Sequence, residues 1–301
     1  MKKSVFYKIR RQGQVVAHCL TNPEFLSGFY FKHLLGYKLN LKAPKSFNEK
    51  LQWLKLYYWP ENKKAVQCAD KYAVRTYIEE VGKKELLNDI LFSWDSADEI
   101  VWDDLPEQFA LKCNHGCGYN IICADKSKCS EEETKKQLNR WMRENFAAFN
   151  EEPHYERIPR KIICEKYLGD NVINYNIYCF NGKATFLSVA GGLGDGVDEH
   201  LTYYNPDGTA ADFKNKNYPA QPEKLSELLP EMIKTAEFLA QEFPMVRVDL
   251  FDVNGRIILS EMTFTPGGAL IPFDPVEADY ALGDKLDIST VMEQVSEAQQ
   301  C

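Results

Sequence analysis

The sequence has no apolar run approaching the roughly 18 to 20 residues that a membrane-spanning helix needs. It has no internal repeat of fixed period, and its nearest approach to low complexity is a polar, glutamate-rich tail after Ser289. Positive charge is also short: 36 lysines and arginines stand against 44 acids, for a net charge of −8. No global positive field is available to hold a polyphosphate backbone, and nucleic acid is not an expected partner. The Walker A pattern G-x-x-x-x-G-K-[ST] is absent. Nine cysteines, an odd number running from Cys19 to Cys301, include no separated C-x-x-C pairs. In a chain of this size they read as reduced, mostly buried thiols and not as a disulfide framework.

The start, "MKKSVFYKIRRQGQVVAHCL", has the basic residues of a signal peptide, but its longest apolar run, "VVAHCL", is interrupted by His18 and lacks a clear cleavage site. A cytoplasmic protein is expected. The same basic start could make a peripheral contact with an anionic membrane surface, although a solvated terminus is the simpler expectation.

What is present suits an ordered enzyme. With 301 residues, 27% charged, 45% hydrophobic and 13% aromatic, the chain is long enough for one large domain or two to three lobes with their own cores. "PKSFNEKLQWLKLYY" predicts a helix entered through a capping box of Ser46 and Glu49, with Phe47, Leu51, Leu54 and Tyr58 at helical spacing. "CADKYAVRTYIEEVG" predicts a second, with Tyr72, Val74, Tyr77, Ile78 and Val81 apolar and Gly82 as its stop. A mainly helical N-terminal lobe is expected over residues 1–105. After Pro106 the texture turns to β, in "FALKCNH", "NIICAD", "KIICEKYL", "YNIYCFNG", "KATFLSVAGG" and "VRVDLFDVNGRIILSEMTF". Between these lie the helical stretches "EEETKKQLNRWMRENFAAF" and "LSELLPEMIKTAEFLAQEF", the latter keeping one apolar stripe. The order is α+β with largely antiparallel sheets.

The hairpin "VRVDLFDVNGRIILSEMTFTPGG" is the most informative segment. With a two-residue Asn254-Gly255 loop, Asp249 and Glu261 would point to opposite faces. A three-residue loop with Gly255 as a bulge puts Arg247, Asp249, Glu261 and Thr263 on one face and Val248, Leu250, Ile258, Met262 and Phe264 on the other. Amphipathicity favours the three-residue loop, although Phe251 and Leu259 then fall on the charged side. Two carboxylates and a guanidinium also suit a solvated surface ladder. "TFTPGG", directly after, weighs toward function, because its backbone amides are free to meet an anion. Hard carboxylate oxygens at this spacing suit Mg²⁺.

"LKCNHGCGYNIIC", residues 111–123, has three candidate uses. Cys113, His115 and Cys117 alternate, but structural zinc wants two separated pairs. A cysteine nucleophile would need a base that His115 does not supply from sequence alone. A glycine-bearing turn lets backbone amides approach phosphate while Lys112 adds positive charge, and a plain hairpin turn remains the bland counterpart.

Taken in order, "ADKYAVRTYI", "FALKCNHGCGYNIIC", "IICEKYL", "CFNGKATF" and "FPMVRVDLFDVNGRIILSEMTFTPGG" resemble the blocks of the ATP-grasp fold in its TupA-like branch, found among bacterial surface-polysaccharide genes and typified by teichuronopeptide biosynthesis. The similarity runs from "SFNEKLQWLK" to "FDPVEADYALGDKL". It implies ATP held between two α+β lobes: a small subdomain over 106–168 and a large one over 169–301. It further implies Lys112 on the phosphates, His115, Gly116, Gly118 and Asn120 in the loop that closes over them, and Glu165, Lys166, Tyr167 and Leu168 at the adenine hinge. Asp249 and Glu261 would bind Mg²⁺, with Thr263 where the fold usually has an asparagine. Arg247 and Lys112 would be catalytic, and Thr265, Gly267 and Gly268 would meet the substrate. Asn176 stands where a lysine is usual. The implied reaction is ATP-dependent joining of a carboxylate and an amine through an acyl phosphate, the acid being a uronic acid, free or sugar-linked, and the amine an amino acid or small amine. The acceptor site is expected from the N-terminal lobe and "GGLGDGVDEHLTYYN". A glycosyltransferase using a sugar nucleotide and a non-catalytic nucleotide-binding protein are the alternatives.

Overall fold

Residues 5–169, 172–191 and 199–298 are described by the computed structural model, with side chains from residue 9 onward, so most of the expected acceptor loop lies outside the described residues. Two helices come first, α1 (Val5–Leu20) and α2 (Pro23–Leu35). The capping box then opens α3 (Phe47–Trp53) as expected: the Glu49 amide donates to Ser46 Oγ, and the Ser46 amide donates to the Glu49 carboxylate at 3.0 Å. The chain continues as a π-helical turn, Leu54–Tyr58. The second expected helix is two, α4 (Lys63–Ala69) and α5 (Val74–Glu80). Asp70 makes the break, because its Oδ1 accepts from the Tyr72 amide at 2.7 Å and offers the backbone a turn in place of the helical bond. Tyr72 is exposed as a result. Among the described residues no helix is long and apolar enough to cross a membrane.

The first sheet contains β1 (Ile90–Trp94), β2 (Phe109–Cys113), β3 (Asn120–Cys123) and β4 (Ile162–Lys166), in the antiparallel order β1-β4-β2-β3, with α6 (Glu131–Arg143) between β3 and β4 in sequence. It reaches back before residue 106, because "ILFSW" is itself a β-branched and aromatic run that pairs along β4. The second sheet holds β5 (Asn174–Phe180), β6 (Lys183–Gly191), β7 (His200–Tyr204), β9 (Met245–Val253) and β10 (Arg256–Thr263), in the antiparallel order β10-β9-β5-β6-β7. A short pair, β8 (Lys214–Asn215) with β11 (Phe273–Asp274), lies beside it in the chain, as do α7 (Leu229–Leu239), α8 (Glu277–Lys285) and α9 (Ser289–Ala298).

The β9–β10 hairpin corrects the expected register. Its loop has two residues, with Asn254 at φ 54° and Gly255 at φ 80°, and Arg256 pairs with Val253. A bulge at Ser260 then shifts the pairing, so that Glu261 lies opposite Asp249 and Thr263 opposite Arg247. The bulge restores the shared face that a third loop residue was expected to give. It also moves Leu259 to the core side and turns Ile258 to the other face, where it pairs with Phe251.

One continuous core joins the helices to both sheets. The N-terminal helices are therefore tied to the C-terminal ones. Asp279 of α8 accepts from the Asn48 amide at 2.9 Å, from Asn48 Nδ2 at 2.8 Å and from the Tyr37 hydroxyl at 2.6 Å, while Lys50 Nζ donates to the Gly283 carbonyl at 2.8 Å. Gly283 is where the backbones meet: a Cβ there would lie 2.1 Å from the Lys45 carbonyl oxygen. Neither partner is a flexible side chain that could swing aside. Gly283→Ala is expected to destabilise the protein by about 1–3 kcal/mol, read as a lower Tm; an unchanged Tm would show that α3 and α8 can separate without loss.

Candidate active site

A cleft of about 2510 Å³ is lined from both large sheets. It exceeds the roughly 300–1,000 Å³ of an ordinary small-ligand pocket. A nucleotide and a second substrate fit together in such a space.

At one end stand the hairpin side chains. Directly opposed residues on an antiparallel pair have Cβ atoms roughly 4.5–5.5 Å apart, so Asp249 and Glu261 are neighbours. Asp249 is fully buried, and Arg247 grips it with two bonds, Nε to Oδ1 at 2.7 Å and Nη2 to Oδ2 at 2.5 Å. The same guanidinium reaches Glu261 at 3.3 Å and the Thr263 hydroxyl at 3.1 Å. Thr263 Oγ1 lies 3.2 Å from Glu261 and 3.4 Å from Asp249, so the four expected residues form one cluster. Burial pushes the Asp249 carboxyl up to about 7, against the pull of Arg247. Burial also acts on Glu261, but there the Lys71 ammonium and the Arg247 guanidinium outweigh it and hold the group at about 2.

Lys71 is the functional side chain that the sequence did not reveal. Its Nζ lies 2.7 Å from Glu261 Oε2 and donates to the Gly116 carbonyl at 3.0 Å, joining the glycine turn of the first sheet to the carboxylates of the second. Burial lowers its pKa, but Glu261 outweighs burial and the net direction is up. The available signal was Asp70, a helix-interrupting residue inside an otherwise helical pattern.

Across the cleft, Lys112 Nζ lies 2.7 Å from Glu165 Oε2. Lys112 pairs in register with Ile163 and Glu165 with Ala110, which sets the two side chains on one face of the sheet. Asn88, not anticipated, approaches Glu165 at 3.5 Å and donates to the Lys166 carbonyl at 2.8 Å. Lys166, Tyr167 and Leu168 line the cleft beside them. Asn176 pairs opposite Asp249, lines the cleft and donates to Ser188 Oγ at 3.3 Å, while its buried Oδ1 has no partner among the described residues.

The turn after β2 is only partly as expected. Gly118, at φ 71°, and Asn120 line the cleft. His115 does not. It is buried, its Nε2 meets the Trp141 carbonyl at 3.1 Å, its ring packs edge-on against Tyr119, and burial pushes it down to about 4, so it is a neutral packing group at the base of the turn. Gly116 is required sterically, since a Cβ would meet Phe146 at 2.7 Å and Tyr119 at 2.9 Å. Cys113, Cys123, Cys164 and Cys179 are buried as expected, whereas Cys117 is exposed on the cleft wall.

After Glu261, Gly267 lines the cleft at φ 61°. Thr265 is turned away, because its hydroxyl donates to the buried Glu152 carboxylate. Gly268, at φ 68°, packs on Asn150, where a Cβ would lie 3.0 Å from Nδ2. Lys55, fully buried and pushed down to about 8 by that burial, donates to the Asn150 carbonyl at 2.7 Å and to the Gly268 carbonyl at 3.4 Å. These groups hold the glycine turn from beneath.

The donor set fits Mg²⁺. It consists of oxygens only, two adjacent carboxylates with a hydroxyl between them, and the buried Asp249 carboxyl, raised to about 7, is short of positive charge even with Arg247 attached. Two carboxylates leave coordination to phosphate and water, the usual arrangement for this ion.

No curated protein matches the chain. Among solved structures it is similar to a D-alanine–D-alanine ligase from Coxiella burnetii, at TM-score 0.47 and 15% identity over 85% of this chain and 66% of that one. It is also similar to the D-alanine–D-alanine ligase of Bacillus anthracis complexed with ATP, at TM-score 0.46 and 14% identity over 78% and 69%. An L-amino acid ligase from Bacillus licheniformis gives TM-score 0.42 and 15% identity over 68% and 44%. Residues 49–287 match the family described as TupA-like ATPgrasp. With that match spanning most of its length, the chain belongs to the TupA-like ATP-grasp family and is an ATP-dependent, Mg²⁺-using ligase that forms carbon–nitrogen bonds.

Proposed function

We propose that the protein joins the carboxylate of a uronic acid to the amine of an amino acid or small amine, through an acyl phosphate, in the cytoplasmic part of bacterial surface-polysaccharide biosynthesis. The observation that supports the phosphoryl-transfer step is the convergence of Lys71, Lys112, Arg247 and Glu261 on one cleft, with Asp249 buried behind them, while the choice of acid and amine rests on the family resemblance alone. Phosphoryl transfer asks a protein chiefly for positioning and for positive charge at the phosphate oxygens.

In the first step an oxygen of the substrate carboxylate attacks the γ-phosphorus of ATP and ADP departs. In the second the amine nitrogen attacks the carbonyl carbon, inorganic phosphate leaves with the bonding pair, and the nitrogen gives up a proton. Lys112, with Gly118 and Asn120, meets the phosphates; the backbone of Glu165 to Leu168 meets adenine. Arg247 stabilises the phosphoryl group in transfer and then the tetrahedral oxyanion. Asp249, Glu261 and Thr263 hold Mg²⁺, which when bound offsets phosphate charge. Gly267 presents its backbone amide to the acid, while the Gly268 amide, which donates to the Thr265 carbonyl at 2.8 Å, and Thr265, His115 and Gly116 act by fixing the turns that carry these groups.

A matrix of uronic acids against amines, scored by ADP release with mass detection of the amide, tests the assignment. Turnover of a sugar nucleotide without ATP would overturn it. Glu261→Gln should abolish turnover, a loss on the order of 10²-fold or more, with the fold intact by circular dichroism; ADP release at the wild-type rate would remove Glu261 from the metal site.

A pH dependence follows from Asp249. Cation binding needs its ionised form, and burial keeps the free group protonated up to about pH 7. kcat/KM for MgATP, which reports the free enzyme, should therefore climb about tenfold per pH unit below 7 and level above it. A profile already flat at pH 5 would show that Asp249 is ionised throughout. The stability sign is the reverse: a raised carboxyl favours the folded state in acid, and that contribution is lost as pH rises through about 7.

A further inference from the structure

The chain's charge is segregated. Residues 1–45 hold nine lysines and arginines against a single acid, Glu24, while the rest hold 27 against 43. This basic segment precedes the family match at 49–287 and supplies none of the cleft side chains.

Its first helix is inverted. Arg11, Gln14 and His18 of α1 face the protein: the Arg11 guanidinium lies 3.6 Å from the Phe149 ring centroid, Gln14 Nε2 donates to the Phe149 carbonyl, and His18 Nδ1 lies 2.9 Å from Glu151. At about 100° per residue, the opposite stripe is Ile9, Val16 and Leu20, exposed by 60%, 57% and 77%. Val15 packs on the core and Arg10 and Gln12 are exposed, but the three polar contacts of α1 point inward and its three most exposed aliphatic side chains outward, the reverse of a helix that faces water. α2 is not inverted, since Leu26 and Phe31 are buried with Ser27, but it still leaves Phe25 and Phe29 on an exposed stripe with Lys32 and His33. A strongly amphipathic, basic helix with an exposed aliphatic stripe, as α1 is, has the composition of an interfacial helix, and α2 adds two exposed aromatic side chains beside it in sequence.

We propose that α1 and α2 form a docking element for an anionic lipid surface, each inserting its apolar stripe at the headgroup level. Basic side chains that reach that surface, as exposed Arg10 and Lys32 can and inward-facing Arg11 cannot, each strengthen binding roughly fivefold, and the acidic remainder of the chain is repelled, which orients the protein with this element toward the lipid. A second copy seated face to face would bring one basic element against another, so charge disfavours it. Docking also has a bearing on the cleft. The Phe149–Glu151 segment under α1 continues into Glu152, which holds Thr265, and Asn150 packs on Gly268. A lipid-docked protein therefore keeps its glycine turn within two contacts of the docking helix.

Co-sedimentation of the full chain with vesicles tests this, using phosphatidylcholine alone and an equal mixture with phosphatidylglycerol. The expected result is binding to the mixed vesicles, at least roughly tenfold weaker binding to neutral ones, and release at high salt. Phe25→Ser/Phe29→Ser, and separately Leu20→Ser, should each weaken binding, the double variant roughly tenfold, with ADP release in solution unchanged. Failure of the wild-type chain to bind mixed vesicles, or equal binding to neutral ones, overturns the proposal. So does wild-type binding by both variants, or a wild-type dimer in light scattering that Phe25→Ser/Phe29→Ser dissociates.

Discussion

Two carboxylates stand side by side on a sheet face that is nearly closed to water, and the surroundings of the cleft are arranged around that charge. Asp249 and Glu261 become neighbours only because one extra residue, Ser260, bulges out of β10 and shifts the pairing by one. Without the bulge the period of two along a strand would send them to opposite faces. With it, both need cations, since an unpaired buried carboxylate is strongly disfavoured. Arg247 comes from the same hairpin, two residues from Asp249. Lys71 comes from far away in sequence and is held by the break that Asp70 introduces between α4 and α5.

Those long-range pairs also unite the molecule. Lys71 bonds the Gly116 carbonyl as well as Glu261, so the position of the glycine turn is fixed by the carboxylates it will act with. Lys112 is held by Glu165, and the Gly267–Gly268 turn rests on Lys55, Asn150 and Glu152. Below them, α3 is clamped to α8 through Asn48 and Asp279. The cationic groups are thereby held in defined positions by carboxylates and carbonyls of the protein itself.

How much of this was legible depends on how far apart the interacting groups lie in sequence. The capping box, the helix of α7 and the strand runs are local patterns, and they appear where their periodicity predicts, whereas Arg247, Asp249, Glu261 and Thr263 share the expected face through a different register. The bulge was not legible, because its position is set by which face each side chain is buried on: Leu259 joins the main core and Ile258 is buried on the opposite face beside Phe251, a distinction that two aliphatic residues do not announce. His115 carries the residue type of a phosphate ligand, but its orientation is decided by packing against Tyr119 of the same turn and by the Trp141 carbonyl, 26 residues away. Thr265 was misjudged for the same reason, since its partner Glu152 is 113 residues away. The second helix failed on a local signal, an aspartate whose side chain competes with the helical backbone.

The paired state of the cleft constrains how a nucleotide can enter. Arg247, Lys71 and Lys112 each already hold a carboxylate at 2.5–2.7 Å, so an incoming triphosphate meets neutralised ion pairs and not free cations. For the phosphates to gain those cations, the carboxylates must gain another positive partner. In the proposed function the Asp249–Glu261 pair would do so by holding the divalent ion that accompanies ATP, which would leave Arg247 and Lys71 available to the phosphates. Glu165 has no neighbouring carboxylate of that kind, so its release of Lys112 is less complete. On that reading metal and nucleotide would be coupled, each improving the site for the other, because Arg247 and Lys71 would serve as partners of the carboxylates in one state and of the phosphates in the next.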